Sequence, residues 1–204
     1  MASPQRTWAV TKYIRLRYSN DLPGIPLQRD IEKLALADRR TLDCRFGEPC
    51  DPRRLVKFHD VKKILETYDE YAALYGRSLQ GEFEDRWSGT TFCIKNGDHI
   101  IMINPEHSLS RRTFTIAHEF GHLVFGHRAI IIATEGMPRS RYSDEQELEA
   151  HSYGLAVLLP YAPLLQILRQ GASAQGIALH YGVSTAAVEM RLKITGLWEM
   201  LVEK

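Results

Sequence analysis

One stretch near the middle of the chain limits its possible folds more than any other. Residues 113–127 read Thr-Phe-Thr-Ile-Ala-His-Glu-Phe-Gly-His-Leu-Val-Phe-Gly-His and contain the pattern His-Glu-x-x-His. On an α-helix, His118 and His122 would share one face and lie about 6 Å apart along the axis. Two imidazoles at this spacing can bind one Zn²⁺, each at about 2.0–2.1 Å. The stretch therefore predicts a helix that contributes two ligands to a metal site.

The residues around this pattern predict that the helix is buried. Apolar side chains recur at helical spacing, at Ile116, Ala117, Phe120, Leu123 and Val124. A buried helix with two histidines and a glutamate needs partners for them, because unpaired buried polar groups are costly. A metal would supply that partner, and Glu119 could then accept a proton from an activated water, as in metalloproteases. The alternative is a core helix whose two histidines are merely hydrogen-bonded.

Composition and charge set wide limits on the rest of the chain. Its 204 residues suffice for one sizeable core with a small appendage, and its net charge of +1 argues against strong attraction to nucleic acid or membranes. We find no apolar run long enough to span a membrane and no signal peptide. The three cysteines are an odd, sparse set, which favours a reducing cytoplasm. Cys44 and Cys50 lack a second Cys/His pair, so they do not indicate a zinc knuckle.

Local patterns predict several further elements. Alternating residues over 14–18 indicate a half-exposed strand, and apolar residues from Leu27 to Ala35 follow a helical period. A longer helix is predicted from Asp60, as N-cap, to Gly76, as C-terminal stop. Residues 90–94 and 99–103 are β-rich, and the Asn-Gly pair between them predicts an antiparallel hairpin.

A catalytic zinc site needs a third protein ligand, and the acidic segment 144–151 can supply it. Ser143 and Gln146 predict a capping box that starts a helix there. Glu147 and His151 are four residues apart and share a face, which permits Glu147 as the ligand and His151 as its neighbour. Spacing alone leaves Glu149 or His151 open as the ligand, and it also allows the glutamates to be simply solvated.

His127 is a further candidate ligand at the end of the first helix. The long metzincin pattern requires its third histidine at position 128, where this chain has Arg128. We therefore interpret His127 as a histidine at a helix terminus. Residues 128–142 are expected to form a connection between the two helices, with a lid over the site as the alternative.

Two segments resemble the ImmA/IrrE family of zinc metallopeptidases, namely Phe114-Thr-Ile-Ala-His-Glu-Phe-Gly-His122 and Glu147-Leu-Glu-Ala-His-Ser-Tyr-Gly-Leu-Ala-Val-Leu-Leu-Pro160. Members of the family carry Ala-His-Glu-Leu-Gly-His and a second helix of the form Glu-x-x-Ala-Asn-x-Phe-Ala-Ala-x-Leu-Leu-Met-Pro, whose first Glu is the third ligand. Aligned on Pro160, that ligand is Glu147. His151 replaces the family's Asn, which leaves open whether it orients a ligand or acts as a fourth donor.

The resemblance implies an α+β fold. It consists of a mainly helical, zincin-like metalloprotease core with a small antiparallel sheet, followed by a helix-turn-helix-like segment. The corresponding division is residues 1–54 as an N-terminal extension, 55–160 as the core and 161–204 as the helical segment. Pro163 is expected to open a helix, and Ser173–Thr195 has a helix-turn-helix pattern. Its second helix offers Arg191 and Lys193, a weak basic footprint that favours packing or protein recognition over DNA.

The expected function is that of a cytoplasmic zinc endopeptidase. His118, His122 and Glu147 would hold Zn²⁺, and Glu119 would act as the general base. By resemblance, the substrate would be a helix-turn-helix repressor or an antitoxin, whose cleavage relieves repression in stress or mobile-element control. Two alternatives remain, a non-catalytic module that binds a regulator and a DNA-binding regulator with a relict protease fold.

Overall fold

The computed structural model of the protein describes residues 21–83, 86–94, 97–128, 130–132 and 139–202. The helices in these ranges are α1 (Pro26–Thr41), α2 (Tyr68–Tyr75), α3 (Leu109–Val124), α4 (Asp144–Leu158), α5 (Tyr161–Arg169), α6 (Ala174–Tyr181), α7 (Thr185–Thr195) and α8 (Glu199–Val202). The strands are β1 (Val61–Leu65), β2 (Gly89–Cys93), β3 (His99–Ile103), β4 (Ile130–Ile132) and β5 (Arg139–Arg141), and a 3-10 turn spans Pro52–Lys57. The predicted α+β class is confirmed. The strand predicted over 14–18 lies outside the described residues.

A small sheet of strand order β1-β3-β2 forms one side of the fold. β2 and β3 make the predicted antiparallel hairpin, in which Thr91 lies opposite Ile101. β1 runs parallel to β3, with Ile64 opposite Ile101, so the sheet is mixed rather than wholly antiparallel. Lys95 and Asn96 of the predicted turn lie outside the described residues.

The helix predicted from Asp60 to Gly76 is wrong in its first half. Val61–Leu65 is strand β1, and helix α2 begins only after Thr67, which forms a capping box with Glu70. The apolar positions of 61–65 fit a helical period, but a strand also buries Val61 and Leu65, which pack into two different apolar clusters. Pairing with buried β3 thus overrides the local pattern. The predicted stop is correct, since Gly76 has the left-handed φ of 71°.

Helix α3 begins at a serine cap, and helix α4 begins at the predicted capping box. Ser108 accepts a hydrogen bond from the Arg111 amide, and Ser143 and Gln146 form the expected capping box. Both helices contribute buried apolar side chains to one cluster, which we call the central core. It includes Ile116 and Phe120 of α3 and Tyr153, Ala156 and Val157 of α4. The two helices of the candidate site are therefore specified by strong local features as well as by burial.

Two glycines allow α3 and α4 to cross in backbone contact. A Cβ atom placed on Gly121 would lie 2.8 Å from the Cα and the carbonyl oxygen of Ala150. One placed on Gly154 would lie 3.0 Å from the His118 amide nitrogen. Any side chain at either position would force the helices apart. We call this contact the glycine crossing.

The N-terminal and C-terminal helices pack onto the same core. α1 lies against α4, and Ile31 and Ala35 of α1 are buried in the central core. Arg191 of α7 is fully buried, pairs with buried Glu32 of α1 and donates a hydrogen bond from Nε to the Leu159 carbonyl at 3.0 Å. Through these contacts, helix α1 and helix α7 both pack against the region that contains α4. The proposed division into three regions stays a prediction.

The C-terminal helices have the predicted helix-turn-helix pattern. α6 ends at Gly182, whose φ of 67° is left-handed, and Ser184 caps α7 by accepting a hydrogen bond from the Ala187 amide. The preceding helix begins at Tyr161, two residues before the predicted start at Pro163. Pro163 lies in its first turn, where the missing N–H has no helical partner to lose.

Part of the connection between α3 and α4 forms strands β4 and β5, which pair antiparallel with Ile131 opposite Ser140. The sequence predicted a connection here but not these two strands, and residues 133–138 lie outside the described part. Within the described ranges, no helix combines the length and apolarity needed to cross a lipid bilayer.

Candidate metal centre

The two histidines of α3 face each other across one helical turn. His118 Nε2 and His122 Nε2 are 3.0 Å apart, and the two rings meet edge to face with centroids 4.6 Å apart. The His122 side chain is almost completely buried, at 1% exposed, and His118 is 12% exposed. The helix therefore aims two imidazole nitrogens at one point, as the four-residue spacing predicts.

Glu147 of α4 brings a carboxylate oxygen to the same point. Its Oε2 lies 3.3 Å from His118 Nε2 and 3.9 Å from His122 Nε2. Donors bound tetrahedrally to one zinc at about 2.0–2.1 Å are separated by roughly 3.3 Å from one another. The three predicted ligands thus come together at separations that suit a single metal ion. Two imidazole nitrogens and one carboxylate oxygen are donors that zinc accepts.

Electrostatics hold Glu147 and His122 in the protonation states that bind metals. A hydrogen bond with His118 lowers the pKa of Glu147 and keeps it ionised, against the effect of burial. Burial lowers the pKa of His122 to about 3, so its imidazole is neutral. Metal ligation requires neutral imidazole and ionised carboxylate. No proton has to leave Glu147 or His122 near neutral pH before a metal binds.

His151 also belongs to this cluster. Ligand atoms of His118, Glu147 and His151 lie within 4.8 Å of one another. The Nδ1 atom of His151 lies 2.9 Å from the Glu147 carbonyl oxygen and 3.7 Å from Glu147 Oε2. Because Nδ1–H donates to the backbone, Nε2 is the nitrogen that His151 can offer to a metal or a substrate. The helical i,i+4 contact makes His151 a neighbour of Glu147, as predicted from the spacing.

Glu119 lies between the histidines on the sheet side of α3. Its side chain is buried, and Oε2 accepts a hydrogen bond of 2.6 Å from the Thr91 hydroxyl of β2. Burial raises the pKa of Glu119, which makes its carboxylate a stronger base than an exposed glutamate, while His118 and Thr91 oppose the shift. The sequence predicts Glu119 as a base, but nothing in it indicates Thr91 as the partner.

His127 has a role that the sequence interpretation missed. Its Nδ1 lies 2.9 Å from His122 Nδ1, and its Nε2 lies 3.0 Å from Glu149 Oε2. When His127 Nε2–H donates a hydrogen bond to Glu149, His127 Nδ1 is free of its proton and accepts a hydrogen bond from His122 Nδ1–H. The lone pair of His122 Nε2 then faces the point where the donor atoms of His118 and Glu147 meet, which we call the metal point. Glu149, an alternative ligand by spacing, is thereby engaged with His127 instead. Helical spacing could not indicate this contact, because His127 lies past the end of α3.

The donors line a cleft of about 260 Å³. Tyr142, just before α4, stacks on the His122 ring with centroids 3.5 Å apart and an interplanar angle of 14°. The sequence offers no feature that singles out Tyr142 from the rest of the connection. The walls also include residues from the sheet and from both helices, namely Ser88, Gly89, Arg111, Phe114, Thr115 and His151.

Replacing His127 with Ala is expected to weaken metal binding by about 10–100-fold, the usual effect of losing a hydrogen-bond partner of a ligating histidine. The reason is that His122 would lose the acceptor that fixes its tautomer and ring orientation. Competition with a chromophoric chelator measures the dissociation constant. His99→Ala, at the start of β3 and outside the lining of the cleft, serves as the matched control. An unchanged affinity in His127→Ala would contradict this role.

A comparison with known families places these residues in context. The family model described as the IrrE N-terminal-like domain, peptidase M78, matches residues 85–193, which is more than half of the chain. The matched region contains the cleft residues from Ser88 to His151 and most of the C-terminal helices. No curated protein matches the chain.

Proposed function

Because the chain belongs to the ImmA/IrrE family of metallopeptidases, we propose that it is a zinc-dependent endopeptidase that cleaves a regulatory protein. The observation that carries this proposal is the meeting of His118, His122 and Glu147 at one point, with buried Glu119 beside them. Two imidazoles and one carboxylate are a common ligand set of catalytic zinc. This set leaves a fourth position for the reaction.

Each residue of the cleft has a distinct part in the proposed reaction. Zn²⁺ would supply a Lewis acid that lowers the pKa of a water molecule and polarises a peptide carbonyl. Glu119 takes the proton of the attacking water at its carboxylate and returns it to the leaving amine. The Thr91 hydroxyl fixes the orientation of that carboxylate through Oε2. His151 offers Nε2 to the substrate from the opposite helix.

The cleft suits an extended peptide as substrate. β2 lies at one edge of the sheet, and Gly89 at its start lines the cleft beside α3. An edge strand can pair with an extended peptide through main-chain hydrogen bonds. In this arrangement a peptide along β2 passes the metal point. We propose a helix-turn-helix repressor or an antitoxin as the protein that supplies this peptide, as the family resemblance implies.

The C-terminal helices favour protein recognition over DNA contact. Of the two cations predicted as candidate DNA contacts, Arg191 is fully buried and paired with Glu32. Lys193 lies over the Trp198 ring, with Nζ 4.7 Å from the centroid. A DNA-binding helix needs exposed cations to neutralise phosphates. Arg191 cannot serve that purpose in this fold.

The metal assignment is tested by mass spectrometry of metals in purified protein. We expect about one zinc per chain in the wild type and a strong loss in Glu147→Ala, because a catalytic site has about three protein ligands. Glu145→Ala is the matched control, since Glu145 is an exposed glutamate in the same first turn of α4. Folded wild-type protein that takes up no added zinc would overturn the proposal.

The substrate assignment is tested separately. Purified protein loaded with zinc is incubated with candidate helix-turn-helix repressors and antitoxins, and new N-termini are identified by mass spectrometry. The expected result is one specific cut that a chelator prevents and added zinc restores. Cleavage that persists in excess chelator would contradict a metal-dependent reaction.

A further inference from the structure

Cys44 and Cys50 stand opposite each other at the base of a tight loop. Helix α1 is followed by Asp43, whose left-handed φ of 54° turns the chain before Cys44. The loop then closes through a turn in which the Glu48 amide donates to the Arg45 carbonyl at 3.1 Å. Gly47 has a φ of 75°, the conformation that a type II turn needs at its third position. The backbone therefore brings the two cysteines together.

The two sulfurs are in direct contact. Their Sγ atoms lie 2.8 Å apart, and both residues are buried thiols, at 5% and 6% exposed. A disulfide bond is about 2.05 Å long, so the sulfurs need to approach by only roughly 0.8 Å. Cys93, by contrast, is exposed on β2.

The surroundings of the pair favour reaction at Cys44. The hydrogen bond with Cys50 lowers the pKa of Cys44 to about 7, and the charges of Arg39 and Arg54 act in the same direction. The same hydrogen bond and burial raise the pKa of Cys50 well above its usual range. The buried Arg39 guanidinium donates to the carbonyl oxygens of Val157 at 2.6 Å and Glu48 at 2.5 Å. These hydrogen bonds hold the positive charge of Arg39 in place beside the 44–50 loop.

We propose that Cys44 and Cys50 form a reversible redox-active pair, which a peroxide oxidises to an intrachain disulfide across the 44–50 loop. The proposal stands on the facing sulfurs and does not depend on the proposed peptidase activity. Hydrogen peroxide suits this site as the oxidant, because it is small and reacts with a single thiolate.

The chemistry proceeds in two balanced steps. The Cys44 thiolate attacks one oxygen of hydrogen peroxide and breaks the O–O bond, giving a sulfenic acid and hydroxide. The Cys50 sulfur then attacks the Cys44 sulfur, the S–O bond breaks, and the departing hydroxide takes up the thiol proton as water. In total, two thiols and one hydrogen peroxide give one disulfide and two waters. A dithiol reductant reverses the change.

Oxidation would fix a loop that touches the C-terminal helices. His180 of α6 lies 2.8 Å, through Nε2, from the carbonyl oxygen of Gly47. The same loop borders an apolar pocket of about 90 Å³ between Phe46 and helices α5 and α6. A bond across the base of the loop would therefore restrict the segment that contacts α6.

The test is peptide mass spectrometry of the full-length protein after treatment with hydrogen peroxide, followed by alkylation of remaining thiols. The expected result is a peptide pair joined through Cys44 and Cys50, with Cys93 alkylated, and full recovery of all thiols after reduction. Amide hydrogen exchange of residues 45–48 should slow on oxidation. Alkylation of both Cys44 and Cys50 after peroxide treatment would overturn the proposal, and so would a disulfide through Cys93.

Variants separate the two cysteines. In Cys50→Ser, the sulfenic acid of Cys44 should persist and react with dimedone, whereas Cys44→Ser should leave Cys50 unmodified. Cys93→Ser is the control and should form the disulfide as the wild type does. Dimedone labelling of Cys50 in Cys44→Ser, at the rate seen for Cys44, would contradict the assigned roles. The wild-type measurement stays decisive if a buried serine prevents folding.

Discussion

Replacing Glu119 with Gln is expected to reduce peptide hydrolysis by about 10²–10⁴-fold, the usual contribution of a general base, while zinc stays bound. Gln has the same size, and its amide oxygen can still accept the hydrogen bond that Thr91 donates to Glu119 Oε2. It cannot take a proton from water. Since Glu119 is not one of the three proposed ligands, the metal site should be intact.

The Glu119 prediction is checked by measuring kcat/KM and zinc content on the same preparations. Glu106→Gln is the matched control, because it makes the same chemical change at an exposed site. Thr91→Val should give a smaller loss, because the carboxylate would keep its basicity but lose its fixed orientation. Wild-type cleavage by the Glu119→Gln protein would exclude Glu119 as the base.

Replacing Arg191 with Ala is expected to lower the free energy of unfolding by about 3–5 kcal/mol, the range for breaking a buried ion pair from one side. Arg191 is fully buried, and its loss would leave the Glu32 carboxylate without its cation. Glu32 also accepts a hydrogen bond from the Tyr161 amide at 2.7 Å, so it cannot move away freely. The Leu159 carbonyl would lose the bond from Arg191 Nε as well.

Chemical denaturation measures the effect of Arg191→Ala. Lys193→Ala, two residues along α7, is the matched control and should cost about 0.5–1 kcal/mol through the lost contact with Trp198. A double variant, Glu32→Gln with Arg191→Met, should recover part of the stability because no buried charge remains unpaired. Equal unfolding curves for Arg191→Ala and Lys193→Ala would show that the buried ion pair contributes no more to the free energy of unfolding than the exposed contact does.

The elements predicted correctly are those that local chemistry specifies. The capping box of Ser143 and Gln146 defines the start of α4, and an Asn-Gly pair joins two β-rich segments. Strand β1 was not predictable in this way, because its backbone hydrogen bonds go to β3, some 38 residues away in sequence. Only knowledge of that partner distinguishes β1 from the first turn of a helix.

In the candidate site, too, contacts within one helix could be predicted, whereas contacts between helices could not. The His118–His122 pair follows from helix geometry alone. The choice between Glu147 and Glu149 depends on how α4 is rotated against α3, which spacing within α4 does not contain. In the structure Glu147 faces the histidines, while Glu149 faces His127. The family resemblance identified Glu147, whereas the bridging role of His127 needed the folded chain.

The glycine crossing would link the proposed metal binding to folding. His118 and His122 lie on one side of this contact and Glu147 on the other, so the interhelical distance at Gly121 and Gly154 sets the spacing of the donors. Zinc that binds only the closed pair of helices acts as a clamp, and zinc at 100 times its dissociation constant would add about 2.7 kcal/mol to stability. The melting temperature of the protein would then report the availability of free zinc around it.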